Sequence, residues 1–199
     1  DGTVAAEDVD QHCRNYEESI RKAGGIDVML LGIGGNGHVG ANEPFSIRNS
    51  RTRLCTLDPV TRRAAASDFF GETNVPTQAI TMGMGTIQEA RKILLVALGE
   101  HKSSIIRALT QGGITERVPA SHLQDHPDSM VIVDEASASQ LDFYQTPWSF
   151  EDVEWTDLLI KRAVLWSRGQ HTRAAGCKGG LENFRVAWVN RPFAEHAEG

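Results

Sequence analysis

Apolar positions near the start of the chain recur with a helical period. Four of them follow one another at steps of four, three and four residues: Val9, Cys13, Tyr16 and Ile20. This spacing predicts a helix over residues 6–23 with one buried stripe. Gly24 and Gly25 predict its end, because glycine readily adopts the left-handed conformation that terminates many helices. The unbroken apolar run Val28–Leu31 then predicts a strand covered on both faces.

The same alternation of strand and helix continues along most of the chain. Further strands are predicted at residues 53–57, 78–82, 93–98 and 130–133. Helices are predicted between them at residues 58–70, 86–91 and 102–110. Strands that alternate with helices through short links are typical of an α/β domain. We expect a Rossmann-like domain with a largely parallel sheet and helices on both faces.

The character of the sequence changes after Pro147. We assign residues 1–147 to the α/β domain, which is of a catalytic type, and residues 148–199 to a C-terminal helix and tail. In the second part, residues 151–166 have apolar positions spaced as in an amphipathic helix. Residues 167–199 show little periodicity, which predicts an irregular tail or lid.

Composition and charge argue against several classes of function. The chain has 199 residues, of which 40% are apolar and 23% charged, a profile typical of a soluble globular protein. Its net charge of −6 argues against broad nucleic-acid binding, which needs a dense surface of lysine and arginine. The longest apolar run, residues 93–98, is too short to cross a membrane. Three cysteines without metal-binding spacing favour a reduced, cytoplasmic environment over a secreted, disulfide-bonded one.

The segment from Gly32 to Pro44 carries the clearest chemical signal. It follows a predicted buried strand, so it turns over the sheet edge at which α/β folds bind ligands. Gly32, Gly34 and Gly37 match the dinucleotide-binding pattern G-x-G-x-x-G. However, Pro44 interrupts any helix, and the segment that follows is basic where a dinucleotide site requires an acidic residue. The sequence therefore disfavours a dinucleotide site.

His38 and Glu43 support an alternative interpretation of the same turn. Histidine gives and takes protons near neutral pH, and a nearby carboxylate can fix its tautomer and raise its pKa. Asn36 could hydrogen-bond the imidazole or the ligand, while the glycines let the backbone approach a small ligand. From these residues alone, an active site and a half-buried loop histidine with its hydrogen bonds satisfied are equally supported.

The pattern from Gly32 to Pro44, Gly-x-Gly-x-x-Gly-His-x-x-x-Asn-Glu-Pro, resembles the active-site signature of glucosamine-6-phosphate deaminases, also called isomerases. Further matches follow in order at residues 50–53, 61–63, 69–70, 75–76, 79–87, 99–102 and 119–126. The similarity spans residues 16–141. The related 6-phosphogluconolactonases share a Gly-His turn but are not expected to carry Asn-Glu-Pro there, which favours the deaminase.

The resemblance implies a fold of the sugar-phosphate isomerase type and a defined reaction. Glucosamine 6-phosphate, an amino-sugar phosphate, and water would give fructose 6-phosphate and ammonia by general acid–base catalysis, without a metal or an organic cofactor. His38 matches the family's ring-opening acid and base, and Glu43 matches the carboxylate that tunes it. Lys102, at a predicted helix start, matches the phosphate-binding lysine. The expected substrate-binding residues are Gly34, Gly37, Lys102 and, as a second cation, Arg63.

Three departures limit what the resemblance transfers. Many members have aspartate where this chain has Asn36, and asparagine can orient a group but cannot take a proton. Some members have a phosphate-binding arginine where this chain has Asp68, so phosphate affinity should fall unless Arg63 or another cation substitutes. The chain also opens without an initiator methionine, at the helix before the catalytic strand. The family's first strand, phosphate loop and C2 base would then be missing, so we expect a fragment or divergent short form with an exposed apolar sheet edge.

Other functions stay open at this point. The chain could be a non-catalytic sugar-phosphate-binding or regulatory protein that kept the histidine turn but lost the base. Lactone hydrolysis is less favoured. His122 and His126 are spaced as a helical metal-binding pair, but they lack the glutamate of H-E-x-x-H, so we expect no metal there. Family members are often homo-oligomers, although nothing in the spacing indicates an oligomer here.

Overall fold

Four parallel strands form the central sheet of the computed structural model, which describes residues 3–170 and 185–188. Their order is β1 (Val28–Leu31), β4 (Lys92–Ala97), β5 (Ser129–Val133) and β6 (Arg185–Trp188). β2 (Arg53–Thr56) and β3 (Gln78–Thr81) form a separate antiparallel pair. The predicted α/β class with a largely parallel sheet is therefore confirmed. The antiparallel pair was not predicted, because alternation along the chain does not specify which strands become neighbours.

Seven α-helices lie in the described part of the chain: α1 (Val9–Lys22), α2 (Pro59–Ala64), α3 (Met84–Gln88), α4 (Ser103–Gln111), α5 (Glu135–Ala138), α6 (Asp142–Gln145) and α7 (Asp157–Gln170). Short 3-10 helices lie at Ala6–Asp8, Glu72–Asn74, Glu100–Lys102, Pro119–Asp125 and Pro147–Ser149. Among these described helices, none is long and apolar enough to span a membrane.

The core lies on one face of the central sheet. Met29 and Leu31 are buried there, in one cluster with side chains that include Ile93, Leu95, Ile106, Leu109 and Leu123. Val28 and Leu30 alternate with them and are 54% and 69% exposed. The prediction that β1 is covered on both faces is wrong, because the face that carries Val28 and Leu30 remains exposed. In the described residues β1 is also the end strand of the sheet, with β4 as its one neighbour.

The buried face of α1 contains a carboxylate that the apolar stripe does not predict. Tyr16 is 45% exposed, whereas Glu17 is 6% exposed. The Glu17 carboxylate accepts hydrogen bonds from the backbone N–H of Thr52 at 2.8 Å and from the hydroxyls of Thr52 and Thr86, each at 2.5 Å. It also pairs with the Arg51 guanidinium. Burial opposes the charge, but these hydrogen bonds outweigh it and lower the pKa of Glu17 to about 2.

Three predicted helices end several residues away from their predicted ends. α3 ends at Gln88 rather than at residue 91. α2 ends at Ala64 rather than at residue 70, and Phe70 has a positive φ of 57° that no helix accommodates. α7 runs from Asp157 to Gln170, later than the predicted 151–166. The predicted irregular tail is wrong for residues 167–170, which belong to α7, and for residues 185–188, which pair with β5 as a parallel strand. The rest of that prediction, residues 171–184 and 189–199, lies outside the described residues, and the division of the chain at residue 147 stays a prediction.

Candidate active site

The turn that follows β1 is shaped by two glycines. Gly34 donates its backbone N–H to the carbonyl of His38 at 2.9 Å, and Gly37 donates to the carbonyl of Gly34 at 2.9 Å. A Cβ on Gly34 would lie 2.0 Å from the His38 ring, so the ring packs directly over this residue. Gly37 has a φ of +87°, and a Cβ there would lie 2.8 Å from Val118. Gly34 thus makes room for the imidazole, and Gly37 makes room for a neighbouring segment rather than for a ligand.

A chain of hydrogen bonds joins Glu43, Asn36 and His38. The Nδ2 of Asn36 donates to Oε2 of Glu43 at 2.9 Å, and Oδ1 of Asn36 lies 2.7 Å from Nδ1 of His38. Because a carboxylate only accepts, it orients the amide with the oxygen towards the imidazole. That oxygen also accepts the backbone N–H of His38 at 3.2 Å. Nδ1 of His38 must therefore carry the proton, which leaves Nε2 of the neutral ring as the basic nitrogen.

Asp58 and Thr61, at the start of α2, complete the surroundings of the histidine. The backbone N–H of Asp58 donates to Oε1 of Glu43 at 3.2 Å, while the Asp58 side chain caps α2 by accepting from Val60 at 2.7 Å. The hydroxyl of Thr61 lies 3.2 Å from Nδ1 of His38. The sequence interpretation gave Thr61 no role. Its place three residues after a helix cap is the one local signal that could have assigned it to this end of α2.

Burial lowers the pKa of His38 below its ordinary value of 6.5. The charges of Glu43 and Asp58 act in the opposite direction, and the charge of Lys102 adds to the effect of burial. The Nδ1 atom of His38 lies 3.6 Å from the nearer Glu43 oxygen, with the neutral Asn36 amide bonded to both. The carboxylate therefore fixes the tautomer, as expected, but does not raise the pKa overall.

His38 lines a cavity of about 510 Å³ above the end of β1. The residues around it are mostly small or neutral: Gly32, Ile33, Gly34, Gly35, Asn36, His38, Gly40, Val60, Thr61, Ala64, Ala65 and Lys102. Lys102 is the cationic member of this lining, and its Nζ donates to the carbonyl of Ile33 at 2.8 Å. No acidic side chain belongs to the lining in the described part of the chain. The cavity thus combines a neutral imidazole with one ammonium group.

The structure does not bring every expected residue to this cavity. The Arg63 side chain is 72% exposed, its Nε lies 3.9 Å from Oε2 of Glu72, and it is not part of the lining. Asp68 is exposed as well. Within residues 3–170 and 185–188, the cavity therefore lacks the second cation beside Lys102 that the resemblance led us to expect.

The two histidines of the possible metal pair have separate surroundings. They lie in and just after a 3-10 helix rather than on one α-helix. His126 uses both ring nitrogens on the backbone, with Nε2 2.8 Å from the carbonyl of Ala90 and Nδ1 accepting from Asp128 at 3.1 Å. His122 is buried, and neither of its ring nitrogens has a hydrogen-bond partner among the residues that the structure describes. Among the described residues, no group of three histidine, cysteine or acidic side chains is placed to hold a metal ion.

Comparison with known proteins shows the family to which the chain belongs. Residues 2–132 match the family described as glucosamine-6-phosphate isomerases/6-phosphogluconolactonase. A glucosamine-6-phosphate deaminase of Corynebacterium urealyticum is 49% identical over 153 residues, covering 73% of this chain and 60% of the relative. The chain spans about half the length of the curated relatives it matches.

Solved structures show the same relationship. A monomeric glucosamine-6-phosphate deaminase has a TM-score of 0.65 and 43% identity, covering 67% of this chain and 56% of its own. A 6-phosphogluconolactonase from Trypanosoma cruzi has a TM-score of 0.53 and 22% identity, covering 69% of this chain and 54% of its own. At this identity the likeness shows a common fold and nothing more. With a family match over most of its described residues, this chain belongs to the glucosamine-6-phosphate isomerase/6-phosphogluconolactonase family.

Proposed function

We propose that this chain acts on an amino-sugar phosphate and converts glucosamine 6-phosphate and water to fructose 6-phosphate and ammonia. The observation that carries the proposal is the hydrogen-bonded chain from Glu43 through Asn36 to His38 beside a cavity that also holds Lys102. The relatives at 43% and 49% identity are named as deaminases, whereas the lactonase shares 22% identity. The reaction is an isomerisation with a hydrolytic loss of ammonia.

His38 is the group that opens the sugar ring. With Nδ1–H donated to Asn36, its Nε2 takes the proton of the C1 hydroxyl as C1=O forms and the bond from C1 to the ring oxygen breaks. The imidazolium then returns this proton to the ring oxygen, so the histidine ends the step neutral. Glu43 and Asn36 act by holding the imidazole ring of His38 in place and by fixing its tautomer. Such positioned acid–base groups contribute roughly 10²–10⁴-fold each.

Lys102 binds the phosphate of the substrate. Its ammonium lines the cavity, and the hydrogen bond from Nζ to the carbonyl of Ile33 leaves two of its three N–H donors for phosphate oxygens. Because Arg63 lies outside the lining, one cation performs this role, and we expect phosphate affinity to depend steeply on Lys102.

A second candidate function is binding of the same sugar phosphate without turnover. The observation that favours it is the absence of an acidic side chain among the cavity-lining residues of the described chain. After ring opening, a proton must move from C2 to C1, and the family uses a carboxylate base for this step. A protein without that base would bind the substrate and open its ring but release no ammonia.

The two candidates are separated by one pair of measurements on the protein. Ammonia release from glucosamine 6-phosphate is followed for wild type, His38→Asn and His12→Asn, the last being a matched change on α1 outside the cavity. Turnover that is lost only in His38→Asn supports the deaminase. Saturable binding by calorimetry without ammonia supports the second candidate, and the absence of both refutes both. Rapid acid release from 6-phosphogluconolactone would instead favour the lactonase activity.

A further inference from the structure

The position of Lys102 is set by a turn that begins at the end of β4. Gly99 has a φ of +89°, and its carbonyl accepts the backbone N–H of Lys102 at 3.0 Å. This turn carries the lysine over the edge of the sheet to the carbonyl of Ile33, 2.8 Å from its Nζ. Whatever holds Gly99 therefore also sets where the ammonium group stands.

The N-terminal cap of α5 holds this turn from the neighbouring strand. Both carboxylate oxygens of Asp134 accept the backbone N–H of Gly99, at 3.0 and 3.1 Å. The same carboxylate caps α5 by accepting the N–H of Ser137 at 2.8 Å. The Ser137 hydroxyl in turn donates to the carbonyl of Ala97 at 2.8 Å. The cap thus holds the chain on both sides of residue 98, at Ala97 and at Gly99.

One turn later, the same region contacts the residue that follows the lysine. Gln140 donates from Nε2 to the hydroxyl of Ser103 at 3.0 Å. Ser103 is buried and begins α4. Lys102 therefore lies between two residues that are hydrogen-bonded to the α5 region, Gly99 through its backbone N–H and Ser103 through its hydroxyl. Hydrogen bonds from its own α5 cap lower the pKa of Asp134, so the group that holds Gly99 is a carboxylate under ordinary conditions.

We infer that Asp134, assisted by Ser137, is a positioning residue for the phosphate-binding lysine. It does not line the cavity and acts only through Gly99 and Lys102. The inference rests on the proposed function in one respect, the binding of a sugar phosphate by Lys102. Asp134 has a structural role as the cap of α5, and the inference adds a role in the affinity for the sugar phosphate. The two roles predict different results in the experiments below.

Calorimetry with fructose 6-phosphate tests the positioning role directly. Asp134→Asn replaces one of the two oxygens that accept the N–H of Gly99 by an NH2 group, which cannot accept a hydrogen bond. We expect this to displace the Lys102 ammonium group and to lower the affinity for fructose 6-phosphate roughly tenfold. Ser137→Ala is a second, milder variant. Glu135→Gln is the matched control, because it removes one carboxylate from an exposed position of the same helix, and we expect its affinity within twofold of wild type.

A double-mutant cycle separates positioning from a general loss of structure. If Asp134 acts through the lysine, Asp134→Asn has no further effect on affinity in a Lys102→Ala background. The inference would be overturned if the affinity losses of Asp134→Asn and Lys102→Ala simply added in the double variant. It would also be overturned if Asp134→Asn bound fructose 6-phosphate as tightly as the Glu135→Gln control. Absence of binding by the wild-type protein would overturn it as well. A protein that binds fructose 6-phosphate but releases no ammonia from glucosamine 6-phosphate contradicts the deaminase proposal and leaves this inference standing.

Discussion

Replacing Gly34 with alanine tests whether the exact placement of the His38 ring matters for the reaction. The new Cβ would lie 2.0 Å from Cε1, 2.2 Å from Nδ1 and 2.5 Å from Nε2 of the imidazole. The φ of Gly34 lies outside the left-handed region, so alanine is compatible with the backbone and the clash with the ring is the principal cost. The substitution therefore displaces the side chain that we propose to be catalytic, without changing its chemistry.

The size of the effect follows from the distances. Ordinary carbon contacts begin near 3.4 Å, so the ring must move by about 1.4 Å to accommodate the new methyl group. Such a movement breaks the 2.7 Å hydrogen bond to Asn36, which sets the tautomer. A misplacement of about 1 Å can cost roughly 10²-fold in rate. We expect kcat/KM for ammonia release to fall by about 10²-fold or more, while the melting temperature changes little.

Gly113→Ala is the matched control, because it has no atom within 4 Å of the new Cβ and lies outside the cavity. Ammonia release is measured for both variants, together with an NMR titration of His38, which reports the displaced ring even without turnover. If Gly34→Ala keeps the kcat/KM and the His38 titration of the control, the packing of the imidazole over this turn has no catalytic importance and our interpretation of the site is refuted.

Three further substitutions test separate parts of the molecule. Glu43→Gln removes a charge that raises the pKa of His38, so this pKa should fall and the acid limb of kcat/KM should move to lower pH; an unmoved limb would contradict the role of Glu43. Glu17→Gln should lower the free energy of unfolding by about 3 kcal/mol at pH 7, because the carboxylate has a pKa of about 2 against 4.5 when unfolded. That contribution is complete above pH 4.5 and is lost as the pH falls towards 2, which urea unfolding across this range measures. His122→Leu should reduce the loss of melting temperature below pH 6.5, because burial and then Arg48 lower the pKa of His122 and protonation opposes folding.

The parts of the site that could be predicted lie close together in sequence. Gly34, Asn36, His38 and Glu43 belong to one turn after one strand, so local spacing was enough to group them. Thr61 lies on a helix that follows the next strand, and its contact with the imidazole depends on how α2 folds back over the turn. The spacing of residues along the chain does not predict how α2 folds back. The structure shows it through the 3.2 Å contact between the Thr61 hydroxyl and Nδ1 of His38.

The pattern of apolar positions in the sequence also could not predict which polar groups are buried. An apolar stripe on α1 includes Tyr16 by its spacing. The helix nevertheless turns Glu17 inwards, because Thr52, just before β2, and Thr86, on α3, offer donors to its carboxylate. The unbroken apolar run of β1 fails for a similar reason. Whether Leu30 is covered depends on which strands and helices become its neighbours, and these come from distant parts of the chain.

Asn36 accounts for the state in which His38 would meet its substrate. A carboxylate at this position would stand 2.7 Å from Nδ1 and favour the imidazolium. The amide keeps the same hydrogen bond without the charge, so the nearest negative charge lies 3.6 Å away and burial determines the direction of the pKa shift. The histidine is then neutral near pH 7, with Nε2 free to accept a proton at the start of ring opening. Asparagine at this position therefore suits a site whose first step is removal of a proton from the sugar.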